Sequence, residues 1–235
     1  MKDLVLSESL ATARTRLAEA LRAAGRPATD ARLLAVSKTK PAAMIREAWH
    51  LGQRDFGENY VQEALDKQAE LADLHDIVWH FIGPLQSNKT RAVAEHFAWV
   101  HSVDRDRIAR RLNDQRPEGL EPLNVCLQVN ISGEPSKSGV TLDELPALAE
   151  SVLAMPALRL RGLMAIPAPA EEIEAQREPF ARLRRALEAL RVRFPEAPLD
   201  TLSMGMTADL EAAVLEGATL VRLGTAIFGE RTARQ

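Results

Sequence analysis

The chain has 235 residues, 46% of them hydrophobic and 27% charged, with a net charge of -3. That is enough sequence to bury a substantial core, and the near-neutral balance argues against nucleic acid or a lipid surface as the main partner. One cysteine, Cys126, excludes an internal disulfide framework and fits a reducing compartment. No stretch approaches the roughly 18 apolar residues of a membrane span. The first 25 residues hold no apolar run of signal-peptide length, so a cytoplasmic protein is expected.

Residues 7–24 read as a helix in which Leu10, Leu17 and Leu21 share a face, with Ser7 as its cap and Gly25 closing it. The apolar run Leu33, Leu34, Ala35, Val36 reads as a buried parallel strand. It stops at Ser37, Lys38, Thr39 and Lys40, and Pro41 opens a helix over 41–51 that Gly52 ends. A short strand and turn over 55–59 leads to a helix over 60–71 and a third strand over 77–83. Residues 84–88 turn into a helix over 89–96, and a fourth strand covers 99–103, with Asp104 as cap of the helix 105–115. The fifth strand is 123–130. A loop rich in Ser, Gly and Pro over 132–139 then precedes a capping box of Thr141 and Glu144. The sixth strand is 158–166, and the long helix 171–193 carries a basic stripe that reads as a solvated face. The seventh strand is 201–204, followed by a helix over 207–215 and an eighth strand over 219–228. Eight strands alternating with helices, at about 25 to 30 residues per unit, match the arithmetic of a single (β/α)8 TIM barrel with an extra N-terminal helix. A doubly wound open sheet is the alternative, because alternation does not prove closure. No linker or repeat divides the chain, so one domain over 1–235 is expected.

In a barrel the chemistry collects at the carboxyl ends of the strands. Lys38 stands where the first strand runs out. Burial would pull its pKa down from about 10.4 and make it a nucleophile for carbonyls; the plainer reading is that Lys38 and Lys40 mark a solvated strand end. Asn59 follows the second strand. The loops after strands seven and eight are the usual phosphate station of such barrels. There Ser203 offers a hydroxyl, Gly205 permits close backbone approach, Thr207 stands ready to cap a helix, and Gly224 and Thr225 add donors. Each of these, taken singly, is equally consistent with turn chemistry. Arg222 interrupts an apolar strand and shares a face with Leu220 and Gly224, so it needs either a buried carboxylate or a ligand acceptor. The five histidines show no metal-binding spacing, and His80 reads as a satisfied core histidine. Cys126 lies in an apolar run and reads as a buried structural thiol. A lysine, a phosphate cradle and an inward arginine together point to an aldehyde that carries a phosphate.

These positions lie in longer stretches: AVSKTKP (35–41), FGENYVQE (56–63), WHFIGPLQSNK (79–89), NVCLQVN (124–130), SKSG (136–139), RGLMAIP (161–167), SMGM (203–206) and VRLGTAIFG (221–229). Together they resemble the pyridoxal phosphate homeostasis proteins, which bind pyridoxal 5'-phosphate (PLP) and are related to the barrel domain of alanine racemase. The resemblance extends over nearly the whole chain. It implies a PLP-binding TIM barrel in which Lys38 carries the cofactor as a Schiff base. It also implies that Ser203, Gly224 and Thr225 hold the phosphate beside Gly205 and Thr207, that Arg222 faces the pyridine nitrogen, and that Asn59 lies beside the ring. Lys137, in the loop after the fifth strand, resembles a lysine suspected of secondary PLP contact. Many relatives carry serine where this chain has Thr207, which keeps the hydroxyl.

The expected function is a PLP carrier that buffers the aldehyde and supplies apo forms of PLP-dependent enzymes, acting as a monomer without robust catalysis of its own. Racemization needs a base on each face of the cofactor; the one tyrosine is Tyr60, and no sequence is left for the second domain that supplies such a base in alanine racemase. An arginine against the pyridine nitrogen would also weaken the ring as an electron sink. The alternatives are a PLP enzyme such as a slow amino-acid racemase and, more remotely, a Schiff-base aldolase acting on sugar phosphates.

Overall fold

The apolar runs become the staves of a closed barrel. In the computed structural model, which describes residues 4–135 and 137–230, eight parallel strands pair in sequence order. They are β1 (Arg32–Val36), β2 (Asp55–Glu58), β3 (Val78–Phe81), β4 (Trp99–Val103), β5 (Leu123–Gln128), β6 (Leu158–Met164), β7 (Thr201–Ser203) and β8 (Leu220–Leu223). Closure is made by β1, which pairs Ala35 with Phe56 on one side and Leu34 with Arg222 on the other. That double pairing rules out the open sheet.

The helices are α1 (Leu6–Ala23), α2 (Ala42–His50), α3 (Val61–Glu70), α4 (Thr90–His96), α5 (Asp106–Gln115), α6 (Leu145–Leu153), α7 (Ile173–Arg193), α8 (Leu210–Leu215) and α9 (Thr225–Phe228), with a 3-10 turn at Ser87–Lys89. Among the described residues no helix is long and apolar enough to cross a membrane. The extra N-terminal helix α1 buries Leu10, Leu17 and Leu21 on one face, each worth roughly 2 kcal/mol of transfer free energy. The Ser9 hydroxyl donates to the Ile227 carbonyl at 2.6 Å, fastening α1 to α9.

Alternation along each stave divides the core. Ala35, Phe56, Val100, Val125, Leu163 and Val221 face the helices in one continuous sheath. Two smaller groups fill the barrel itself: Leu34, Val36 and Ile82 in one, Trp99, Cys126, Met164 and Leu220 in the other. Cys126 is thus a packed interior thiol, and burial pushes its pKa up to about 12.

Several local expectations are corrected. The eighth strand stops at Leu223, because Gly224 turns the chain and its carbonyl accepts the amides of Ile227 and Phe228 at 3.0 and 2.9 Å, starting α9. Ser7 is not a cap, since Val5 holds that position. Asp104 does not cap α5; its Oδ2 instead accepts the Gly139 amide at 3.2 Å, tying the loop after β5 to the end of β4. Thr207 does not lead into a helix either. Asp209 holds the N-cap position of α8 and its Oδ1 accepts the Met206 amide at 2.7 Å, so residues 206–209 form a turn. Half of the capping box forms, with Thr141 Oγ1 accepting the Glu144 amide at 3.2 Å. Ser136 of the SKSG stretch lies outside the described residues.

Between β5 and β6 the register slips, pairing Val125 with Leu160 and Cys126 with Gly162, so Arg161 is the extra residue of a bulge. Glycine is required beside it: a Cβ at Gly162 would lie 1.7 Å from the Thr201 carbonyl oxygen on β7. Gly162→Ala is therefore expected to part β6 from β7 and cost about 3 kcal/mol or more. Urea unfolding of the variant measures this, and an unchanged midpoint would refute the contact.

Candidate functional site

The segment after β1 is held by charges. Ser37 is buried, and its amide donates to the Gly57 carbonyl at 2.9 Å. Its own carbonyl accepts from Lys67 Nζ at 2.8 Å. One residue beyond Lys38, the Thr39 amide donates to Glu63 Oε1 at 2.6 Å, and Thr39 sits at φ +66°, a region that a β-branched residue avoids. Both neighbours of Lys38 are therefore gripped. The grip is one cluster, because Lys67 Nζ is also 2.6 Å from Glu58 Oε1 and 3.1 Å from Glu63 Oε1. Lys38 itself is half-buried. It follows Leu34 and Val36, both packed inside the barrel, at the same two-residue spacing.

Two carboxylates share the Lys67 ammonium. Burial pushes the Glu58 carboxyl up to about 7, against the pull of Lys67 and with the help of Glu63. The 2.6 Å contact alone would suggest a firmly ionised pair. The ammonium is divided among three acceptors, however, and Glu58 Oε2 is buried without a partner, so the raised value is the physically consistent one.

Beside this cluster, Asn59 follows the second stave with its Oδ1 buried and unpartnered. Gly83 makes room for it, since a Cβ there would meet the Asn59 carbonyl oxygen at 2.6 Å. On the opposite side of β1, Gly224 passes so close that a Cβ would come 3.4 Å from Val36. Gly205, at φ +98°, accepts the Arg222 amide on its carbonyl at 2.9 Å. Thr207 and Thr225 are exposed on the rim. Lys38, Asn59, Gly205, Thr207, Gly224 and Thr225 are thus all at the carboxyl ends of their staves. Lys137 pairs with Glu134 at 3.6 Å, which ties it to its own loop after β5.

Arg222 points into the barrel, as alternation requires, and is only 4% exposed. Burial lowers its pKa to about 10, leaving it charged at neutral pH. The buried carboxylate that the sequence offered as one possible partner is not the one it meets: Arg222 donates to Ser203 Oγ at 2.7 Å and to the Ala165 carbonyl at 3.1 Å. Ser203 Oγ is also 2.7 Å from His101 Nδ1. His101 Nε2 lies 2.9 Å from His80 Nδ1, and His80 Nε2 lies 2.8 Å from Asp55 Oδ1. His80 is the satisfied core histidine expected. The parts played by His101, Asp55, Lys67, Glu58 and Glu63 are new. Inward alternation at position 101, beside an inward His80 on the neighbouring stave, was the available signal for the first.

Residues 9–232 match the family model of the alanine racemase N-terminal domain. The chain is 64% identical over 226 residues to a pyridoxal phosphate homeostasis protein of Pseudomonas aeruginosa, covering 96% of each. It is 55% identical over 228 residues to the protein of that name from Escherichia coli, covering 96% of this chain and 97% of the other. PipY of Synechococcus elongatus with PLP bound is similar with a TM-score of 0.85 and 41% identity, over 96% of this chain and 100% of that one. Alanine racemase of Corynebacterium glutamicum shares the fold at a TM-score of 0.71 and 20% identity, over 95% of this chain and 62% of that one.

The Glu58 cluster gives a pH signature. Between the ordinary 4.5 and about 7, the folded protein holds a proton on Glu58 that the unfolded chain has released. Stability from this site is therefore complete at low pH and is lost as pH rises through 7. Relative to Glu58→Gln, the wild type is expected to lose up to about 3 kcal/mol of unfolding free energy between pH 4.5 and pH 8. Urea titrations at the two pH values measure it; a gap that does not change with pH would place Glu58 at an ordinary carboxylate value.

Proposed function

Because the chain belongs to the pyridoxal phosphate homeostasis proteins, built on the alanine racemase N-terminal domain, we propose that it binds PLP covalently through Lys38 and holds it for delivery to apo-enzymes. The observation that carries the reading is the grip on both neighbours of Lys38 by the Lys67 cluster. A strained, clamped backbone at the mouth of a barrel is what fixing one amine in place requires.

The residues present fit such a ligand. PLP supplies an aldehyde for an amine, a phosphate and a ring nitrogen. Lys38 provides the amine, which condenses with the aldehyde carbon as a Schiff base with loss of one water. The exposed hydroxyls of Thr207 and Thr225 and the turns at Gly205 and Gly224 provide donors for a phosphate. The buried, unpartnered Asn59 Oδ1 is an acceptor awaiting a ligand donor. Arg222 has N–H donors beyond the two in use and no capacity to accept, so it suits a ring nitrogen that stays unprotonated. Ser203, whose hydroxyl is engaged by both His101 and Arg222, holds Arg222 in place, leaving the phosphate to the other four rim residues.

An unprotonated ring nitrogen is a poor electron sink, which favours a carrier over an enzyme. Such a carrier works inside the cell, as one barrel domain and as a monomer.

Purified protein incubated with PLP is expected to show a visible absorption band that borohydride fixes as a covalent adduct. Lys38→Ala should abolish both. Transfer of the bound PLP to an apo-enzyme should restore that enzyme's activity. A band that persists in the variant would exclude Lys38, and robust amino-acid turnover by the wild type would favour the racemase reading.

A further inference from the structure

Five side chains, Arg222, Ser203, His101, His80 and Asp55, form one hydrogen-bonded line through the barrel, with successive contacts of 2.7, 2.7, 2.9 and 2.8 Å. The line runs from the third residue of β8 and the last of β7, through the third residues of β4 and β3, to the first residue of β2. It therefore ends at the amino-terminal base of the barrel, away from the rim that carries Lys38. Ser203, His80 and His101 are buried, and so is Arg222. Asp55 is near the surface, with Arg32 Nη2 3.9 Å away.

A line of this kind can point either way. If His80 carries its hydrogen on Nε2, it donates to Asp55, His101 donates to His80 from Nε2, and the Ser203 hydroxyl must donate to His101 Nδ1. If every hydrogen is moved to the other ring nitrogen, His101 donates to Ser203, and His80 Nε2 turns a lone pair toward Asp55. Arg222 permits both, because a guanidinium only donates and a hydroxyl oxygen can accept twice. Asp55 does not. Burial works to raise its carboxyl, but the hydrogen bond from His80 and the charge of Arg32 hold it below the ordinary carboxylate value. An ionised carboxylate only accepts. Burial also keeps both histidines neutral; His80 faces Asp55 and Arg32, while His101 faces His80, Arg222 and Arg32.

We propose that Asp55, at the base of the barrel, sets the tautomers of His80 and His101 and thereby turns the Ser203 hydrogen away from Arg222 and the rim. Asp55, His80 and His101 are then positioning residues. They make the Ser203 oxygen an undivided acceptor that pins the guanidinium, and each bond in the line strengthens the next. The consequence for PLP rests on the reading that Arg222 faces the ring nitrogen; the tautomers do not.

The test is long-range 1H–15N NMR of histidine-labelled protein. In the wild type both histidines should be neutral with the hydrogen on Nε2 at pH 7. In Asp55→Asn the amide can donate as well as accept, so the line is no longer held one way and part of the His101 population should acquire the Nδ1–H form. Asp55→Glu should restore Nε2–H. Ser203→Ala, which removes the other end, should leave both tautomers unchanged. An Nδ1–H or a charged ring in the wild type would overturn the proposal. So would unaltered tautomers in folded Asp55→Asn, or a flip in Ser203→Ala. Should Asp55→Asn fail to fold, the wild-type and Ser203→Ala spectra decide. A second readout is PLP retention: Asp55→Asn is expected to bind about tenfold more weakly, the worth of one hydrogen bond, with the visible band shifted and with rescue by Asp55→Glu. If the wild type shows no band with PLP, the functional reading fails while the tautomer result stands. If the band forms and the tautomers are reversed, only the present proposal fails.

Discussion

A guanidinium enclosed in a closed barrel has to find its partners among the staves. Left uncompensated, a buried charge costs several kcal/mol, and no carboxylate among the described residues reaches Arg222. The barrel answers with the Ala165 carbonyl and the Ser203 hydroxyl, and the hydroxyl passes the demand on through two imidazoles to Asp55. Around this line, glycines let neighbouring segments close in tightly. At Gly57 a Cβ would press on Ile82 and Leu34, at Gly162 on the Thr201 backbone, and at Gly224 on Val36. The interior is therefore divided between packed apolar groups and a polar thread, and each excludes water from the other.

Stave β2 serves both charged systems in four residues. Asp55 ends the interior line, while Glu58, on the opposite face by alternation, accepts from Lys67 behind the Lys38 segment. Phe56 fills the sheath between them, and Gly57 keeps the lumen open for Leu34 and Ile82. One short strand thus fixes the guanidinium from inside and the amine's backbone from outside. The left-handed Thr39, a conformation costing of order 1–3 kcal/mol, persists because the Glu63–Lys67–Glu58 cluster holds the chain on both sides of Lys38.

Much of this was legible in the sequence. Strand-ending lysine chemistry marked Lys38, and period-two alternation turned Arg222 inward. Eight apolar runs marked eight staves, although closure itself needed the β1–β8 pairing that no local pattern encodes. The caps were misread for a physical reason: short polar side chains beside a helix start serve turns and loops equally well. Asp104 went to Gly139, and Asp209 took the role given to Thr207. The apolar TAIF run disguised the end of the eighth strand, where Gly224 breaks the ladder. The His80–His101 contact was hidden because it depends on the stagger of neighbouring staves, which sequence spacing does not carry. The Lys67 cluster was hidden because a lysine on an amphipathic helix ordinarily means solvent.

Barrels usually separate a base that gives stability from a rim that gives function. That division fails here in one direction only. Lys38, Asn59 and the glycine turns belong to the rim, yet the donor and acceptor roles of Ser203 beneath them are decided by a carboxylate at the base. Such long reach needs no moving part. Each neutral imidazole has a single hydrogen, so fixing it at one nitrogen fixes it at the other, and the choice is handed on at every bond. A charge near the solvent-exposed base, where Arg32 sits 3.9 Å from Asp55, can therefore govern a hydroxyl in the barrel's interior without altering the backbone between them.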